Sequence, residues 1–326
     1  MKRAIMVVVV GTIFTLCMAG GLSLAADYPT KPITLIVPVS PGGSHDIIGR
    51  MFGTVAEKYL GQPIVFINRP GASTMLGTLE SIKAAPDGYT LAEPSEATTA
   101  VIEWEIANGR KPPFTRHEFI PIGSWTQSPT LVVVPYNSPW KNLGDLVTDC
   151  KAKPDKYAFC SGGLYAATHL PVILFMRANG ITARHVPYQG GGPCLGSLVG
   201  GHVDFAMQFP STCIPLARGK KLRMFAVSSE KRLRSLPDVP TCKELGVDVL
   251  FHMWLGLAVP LKTPQPIVDK LRDVFKKVME DKAFIKLVED SGSEVEPLFG
   301  DDLAKYWDKD SEMHAKIFQQ IVKETK

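Results

Sequence analysis

The sequence predicts an α/β protein built on mostly parallel sheet and divided into two lobes. Three observations predict it. Residues 33–67 read as strand, helix and strand; the same alternation returns after Pro121; and a mature chain of roughly 300 residues is at the size where one hydrophobic core gives way to two.

The first strand is the apolar run ITLIV at 33–37. The helix after it has apolar residues at Ile47, Ile48, Met51, Phe52, Val55 and Tyr59, the spacing of one helical face, and Gly61 followed by Pro63 stops it. A second strand follows at 64–67. Two short strands joined by a crossover helix pair in parallel, because the helix returns the chain to the starting edge of the sheet. Further strands are predicted at 131–134, 157–160, 185–188, 205–208 and 224–227, with helical stretches between most of them and Gly or Pro at the junctions. Beyond Pro260 the pattern changes to longer amphipathic helices, 266–280 and 301–322, with a short strand near 294–296.

The N-terminus reads as a secretory signal over residues 1–26. Lys2 and Arg3 precede an apolar run from Ala4 to Ala19, and the small residues Ser23 to Ala26 place cleavage near Ala25 or Ala26. The run is short for a membrane span, so the mature chain is expected to be exported and soluble. The formal charge is +4, and two of those positive charges leave with the signal. A near-neutral remainder excludes a nucleic-acid binder, which needs clustered Lys and Arg against phosphates. The basic run RGKKLR at 218–223 reads as a solvated face. Cys150, Cys160, Cys194, Cys213 and Cys242 remain after cleavage, with no C-x-x-C spacing. Cys150 with Cys160, or Cys194 with Cys213, are the nearest pairings, and at least one thiol is left over.

Three strands end in glycine and lead towards a helix: VSPGGSHDIIGR from Val39, YAFCSGGLYAATHL from Tyr157 and HVPYQGGGPCLGSL from His185. Such loops lie at the carboxyl ends of parallel strands, where ligands bind. Glycine lets the backbone come close, and free N–H groups at a helix start favour an anion. Ser44, Ser161 and Tyr188 stand beside the loops. Nucleotide patterns fail: no Gly-Lys-Ser/Thr follows any loop, and Leu195 stands where the dinucleotide pattern after Gly190 and Gly192 needs glycine. Cys160 and His169 do not make a nucleophile and base, since nine residues along one helix separate them by about 13 Å. His45 and Asp46 point about 100° apart and form no dyad; Asp46 favours the helix start through the dipole. No H-x-x-x-H spacing occurs among the seven histidines. No catalytic residue, metal ligand or cofactor is therefore expected.

The segments YPTKPITLIVPVSPGGSHDIIGRMF, LGQPIVFINRPGAS, AAPDGYTLA, HEFIPIGSWTQSPTLVVVP, HVPYQGGGPCLGSLVGGHVD, LPDVPTCKELGV and MWLGLAVPLKTP, in this order, resemble the periplasmic solute-binding receptors of the tripartite tricarboxylate transporter family, also called Bug-type receptors. The resemblance runs from about Tyr28 to the C-terminus. It implies a two-lobed Venus-flytrap fold of the type II periplasmic binding kind, each lobe a mostly parallel sheet flanked by helices. On this reading 27–123 with 250–326 form one lobe and 124–249 the other, with hinges near 122–127 and 249–255. It implies a monomeric receptor that holds a small carboxylate in the cleft and presents it to a permease of one large and one small membrane subunit. The residues it points to are Ser40, Pro41, Gly42, Gly43, Ser44 and Ser95 in the first lobe. In the second they are Ser161, Gly162, Tyr188, Gln189, Gly190, Gly191, Gly192, Pro193 and Asp204, the last as a brace for the cleft.

The chain departs from the family pattern in three places. AEPSEATT after GYTL puts Glu93 and Glu96 near the cleft; Cys160 to Tyr165 is bulkier and more apolar than the usual Ser- and Gly-rich stretch; and Ser73 and Thr74 replace glycine. These changes suggest a ligand with one carboxylate and a distal part that is apolar or cationic. His45 stands where relatives often carry a small residue. Two other readings share the scaffold: a periplasmic sensor feeding a membrane signalling protein, and a secreted hydrolase, which needs a nucleophile and base that the sequence does not offer.

Overall fold

The computed structural model describes residues 28–325, so the predicted signal lies outside the described residues. Two sheets organise the chain. In the first, β1 (Ile33–Val37) lies between β2 (Ile64–Asn68) and β3 (Thr90–Ala92), and all three run parallel. Helices α1 (Ser44–Leu60) and α2 (Met75–Lys83) make the crossovers, and α3 (Glu96–Ala107) follows β3. Two long strands, β4 (Phe119–Pro129) and β10 (His252–Pro260), extend this sheet antiparallel, with β11 (Leu298–Phe299) at its edge. The second sheet holds β5 (Leu131–Pro135), β6 (Ala158–Ser161), β7 (Arg184–Pro187), β8 (Phe205–Gln208) and β9 (Leu222–Val227). Its order is β7-β6-β8-β5-β9, parallel over the first three and antiparallel at β5 and β9.

Each sheet is thus mixed, where a mostly parallel one was expected. The strands at 33–37, 64–68, 90–92, 158–161, 184–187 and 205–208 are the parallel ones. The antiparallel members are the strands that carry the chain from one sheet to the other and those beside them. The change of sheet falls at Thr130, beyond the expected division at 123/124, because the ladder of β4 on β10 runs on to Ser128 and Pro129. β4 is buried on both faces along most of its length, so its sequence lacks the alternation that marks a half-exposed strand. The return passage is tied to the outward one: Ser228 Oγ lies 2.9 Å from Thr130 Oγ1 and accepts from Thr130 N at 3.0 Å, and Ser228 N donates to Thr130 O at 2.8 Å.

Aromatic packing fixes the helices on the first sheet. Phe52 of α1 stacks on Trp125 at 5.3 Å and meets Phe275 of α8 (Gln265–Glu280) at 5.7 Å. On the opposite face Trp254 meets Trp307 of α10 (Gly300–Thr325) at 4.9 Å. The second sheet has one face on α4 (Leu143–Ala152) and α5 (Leu170–Asn179), through Phe159, Phe175 and Phe205, and the other on α6 (Gly191–Val199) and α7 (Pro210–Arg218).

Cys160 forms a disulfide with Cys194, 34 residues on, rather than either nearer pairing. The pleat explains why Cys150 is not the partner: Cys150 packs with Phe159 on one face, and Cys160, the next residue along β6, points to the other. Cys150, Cys213 and Cys242 are buried thiols.

Candidate functional site

The loop between β1 and α1 is built by Asp46. Its carboxylate accepts from Gly42 N at 3.1 Å, Arg50 Nε at 2.9 Å and Asn68 Nδ2 at 3.1 Å. Burial works against the charge, but these donors outweigh it and hold Asp46 below the usual carboxylate range. Gly42 takes φ +82, a conformation that side chains disfavour. Gly43 then opens α1 with no side-chain cap on its first turn. In the second sheet Gly190, at φ +143, opens α6 equally uncapped, and Phe209 does the same for α7.

These helix starts meet. A Cβ placed on Gly43 would lie 3.5 Å from Gly191 N, and one on Gly162 would lie 3.1 Å from the Gly190 backbone. Ser40 N donates to Gln189 O at 2.9 Å, and Ser44 Oγ sits 3.0 Å from Ser211 Oγ. The three glycine loops therefore converge on one small cavity. Gly43, Ser44, Gly162, Gly190 and Gly191 line it. Val39, His45, Thr74, Ala97 and Met253 complete the wall from the first sheet's side, and Ala166, Ala167, Thr168, Gln208 and Phe209 from the second's. No Lys or Arg is among the described lining residues, so the positive potential there comes from the helix N-termini.

The remaining expected residues lie in three kinds of place. Pro41, Gly42 and Gly192 form the seam beside the cavity, where a Cβ on Gly192 would come within 2.4 Å of Pro41 O, and Pro193 follows in the first turn of α6. Ser161 is fully buried behind the wall, 2.7 Å from His185 Nε2 and 2.9 Å from Gly163 O. Ser95, Tyr188 and Asp204 serve elsewhere. Ser95 Oγ caps α3 by accepting from Ala97 N at 3.2 Å. Tyr188 Oη donates to Ser197 Oγ at 2.6 Å. Asp204 accepts from Ala158 N at 2.8 Å at the start of β6, a strand's length from the cleft, and braces the far end of the sheet.

His169 is not on a helix that starts after Cys160. Eight residues of turn intervene and α5 begins at Leu170. His169 accepts from Tyr165 N at 2.8 Å and stacks on His185 at 4.0 Å, and burial pushes the two rings down to about 3 and about 4. Tyr165, at φ +57, reaches across to the first sheet's helices, 4.1 Å from the Trp104 ring and 5.1 Å from Phe318. The two glutamates near the cleft are internal. Glu93 pairs with His45 at 3.2 Å and Glu96 with His314 at 3.1 Å, and both carboxyls are pushed up by burial despite their histidine partners. Gln208 ends a parallel strand, a position from which sequence reasoning could have named it. Met253 and Ala97 carry no such signal.

Comparison with known proteins agrees with this architecture. The family model described as tripartite tricarboxylate transporter family receptor matches residues 48–322. The UPF0065 protein in the gbd 5′ region of Cupriavidus necator is 34% identical, over 78% of this chain and 77% of its own. MatC (Rpa3494) from Rhodopseudomonas palustris, solved with bound malate, has a TM-score of 0.82 and 26% identity, over 89% of this chain and 100% of that one. Rpa4515 of the same organism, solved with adipate, has a TM-score of 0.83 and 25% identity, over 90% of this chain and 98% of that one. With the family model spanning most of the chain and the two-sheet architecture shared, the chain belongs to the receptors of the tripartite tricarboxylate transporter family, and is a receptor and not an enzyme.

Proposed function

We propose that this protein captures a small carboxylate between two lobes and delivers it, as an exported periplasmic monomer, to a tripartite permease of one large and one small membrane subunit. The lobes are 27–123 with 250–326, and 124–249, give or take the few residues of strand at each crossing. The observation that carries the reading is the meeting of the uncapped starts of α1 and α6 on one cavity. Amide N–H groups and aligned dipoles from both sides favour an anion there, so a bound carboxylate stabilises the closed conformer more than the open one. The binding residues are Ser40 to Ser44, Gly162 and Gln189 to Pro193, with Thr74 and Gln208. Thr74 Oγ1 and Gln208 Oε1 are buried polar atoms that lack a partner among the described residues. The ligands named for MatC and Rpa4515, malate and adipate, are carboxylates and support the class.

Thermal unfolding of the purified mature protein with malate, adipate and citrate tests this, since a ligand that binds only the folded state raises Tm. A rise with at least one carboxylate is expected. No rise with any of them, alongside a rise with uncharged sugars, would overturn the reading.

A further inference from the structure

Among the described residues His45 is the ionisable side chain on the cavity wall. It sits in the first turn of α1, 6% exposed, with Nδ1 3.2 Å from Glu93 Oε2. Glu93 is sealed behind it: its side chain has no exposure, and its other oxygen, Oε1, has no partner among the described residues. A Cβ on Gly49 would lie 3.2 Å from that oxygen, so a glycine in the middle of a helix leaves the carboxyl its room. His45 Nε2 makes no hydrogen bond to the described residues, and the ring borders the cavity.

The hydrogen bond between Nδ1 and Glu93 can form with an added proton or without it. With the proton the pair is neutral. Whether the proton rests on Glu93 or on Nδ1, the other ring nitrogen then carries a hydrogen, so Nε2 is a donor. Without it, Glu93 accepts from Nδ1–H, and Nε2 is a bare lone pair in front of a buried negative charge. Burial, which pushes Glu93 up, favours the first state. The other charged groups nearby are already matched. Asp46, next on α1, is held by Arg50 and Asn68. Glu96, at the start of α3, pairs with His314, which Asp310 backs at 3.4 Å.

We propose that His45 is a specificity-determining residue of the carboxylate cavity: its Nε2–H donates to a second oxygen of the ligand, and Glu93 is the positioning residue that keeps that hydrogen in place. The inference rests on the carboxylate reading above. His45 and the free amides of α1 share one helical turn, so the second oxygen lies one or two carbons from the carboxylate held there. The ligand class is the short oxo acid or short dicarboxylate, in preference to the plain alkanoate.

Calorimetric titration of the full mature chain with propionate, pyruvate and malonate, and with pentanoate and 2-oxopentanoate, tests it. The oxygen-bearing member of each set should bind about tenfold tighter, the worth of one hydrogen bond. His45→Ala should erase that preference, with thermal unfolding of the free variant reporting that the fold is intact. The wild-type preference should fall as pH rises and Glu93 ionises. In Glu93→Gln, whose amide can still donate to Nδ1 and cannot ionise, it should no longer vary with pH. Equal affinities within each set for the wild type, or a preference that survives His45→Ala, overturns the inference and leaves the carboxylate reading standing. Absence of binding by every acid overturns both.

Discussion

Replacing Gly192 and Gly43 by alanine, one at a time, separates a contact made only on closure from ordinary packing. Both glycines sit at the seam between the two sheets, and neither has a positive φ that would strain a side chain. Their surroundings differ. A Cβ on Gly43 meets Gly191 N at 3.5 Å, an ordinary contact, whereas one on Gly192 meets Pro41 O at 2.4 Å. Carbon and oxygen need about 1 Å more than that, and both partners are backbone, so the two loops must separate. Overpacking of this kind costs about 1–3 kcal/mol. Separation also strains the bond from Ser40 N to Gln189 O, worth about 0.5–1.5 kcal/mol. Together they cost the closed form about 1.5–4.5 kcal/mol, roughly a 10- to 1,600-fold loss of affinity. In the open form the alanine has room, and in the first turn of α6 it favours the helix by up to about 1 kcal/mol. Gly192→Ala should therefore bind malate, or whichever acid raises Tm, far more weakly, with unliganded stability unchanged or slightly raised. Gly43→Ala should bind nearly as the wild type does. Calorimetry with thermal unfolding of the free proteins checks both. Wild-type affinity in Gly192→Ala, or an equal loss in Gly43→Ala, would refute the geometry.

Three further outcomes are expected. His314→Ala removes one member of a fully buried cluster with Glu96 and Asp310 and should cost about 3–5 kcal/mol in urea unfolding. Burial pushes His314 down, but Asp310 and Glu96 outweigh it and raise its pKa well above the ordinary value. Its stabilisation is therefore complete below the unfolded value of about 6.5 and is lost as pH rises through the folded one, a slope that the variant should lack. Reducing the Cys160–Cys194 disulfide frees a loop spanning 34 residues and should lower stability by about 4 kcal/mol, seen as a fall in Tm in dithiothreitol that Cys160→Ser with Cys194→Ser reproduces without reductant. Tyr165→Ala removes a ring packed between Trp104 and Phe318 across the two sheets, each contact worth about 0.5–1.5 kcal/mol, and should weaken ligand binding about tenfold with little effect on the stability of the open form.

The parallel strands other than the three-residue β3 were legible because each is a short apolar run closed by glycine or proline, and α1 because its apolar residues repeat every three to four positions. β4 and β10 were not, since strands buried on both faces carry no alternation and their pairing partners lie far along the chain. The turn at 162–169 was misread as helix because its small and aromatic residues do not announce the positive φ of Gly163 and Tyr165.

The sequence by itself determined the α/β class and the three glycine loops, because each depends on neighbours within about one helical turn or one strand. Only the tertiary structure decided what those loops close around. Cys160 could find Cys194 only once the pleat had turned it from Cys150, and His45 could find Glu93 only once β3 lay beside β1. Those pairings join residues tens of positions apart, and contact at that range is set by how sheets and helices stack, which no local spacing encodes.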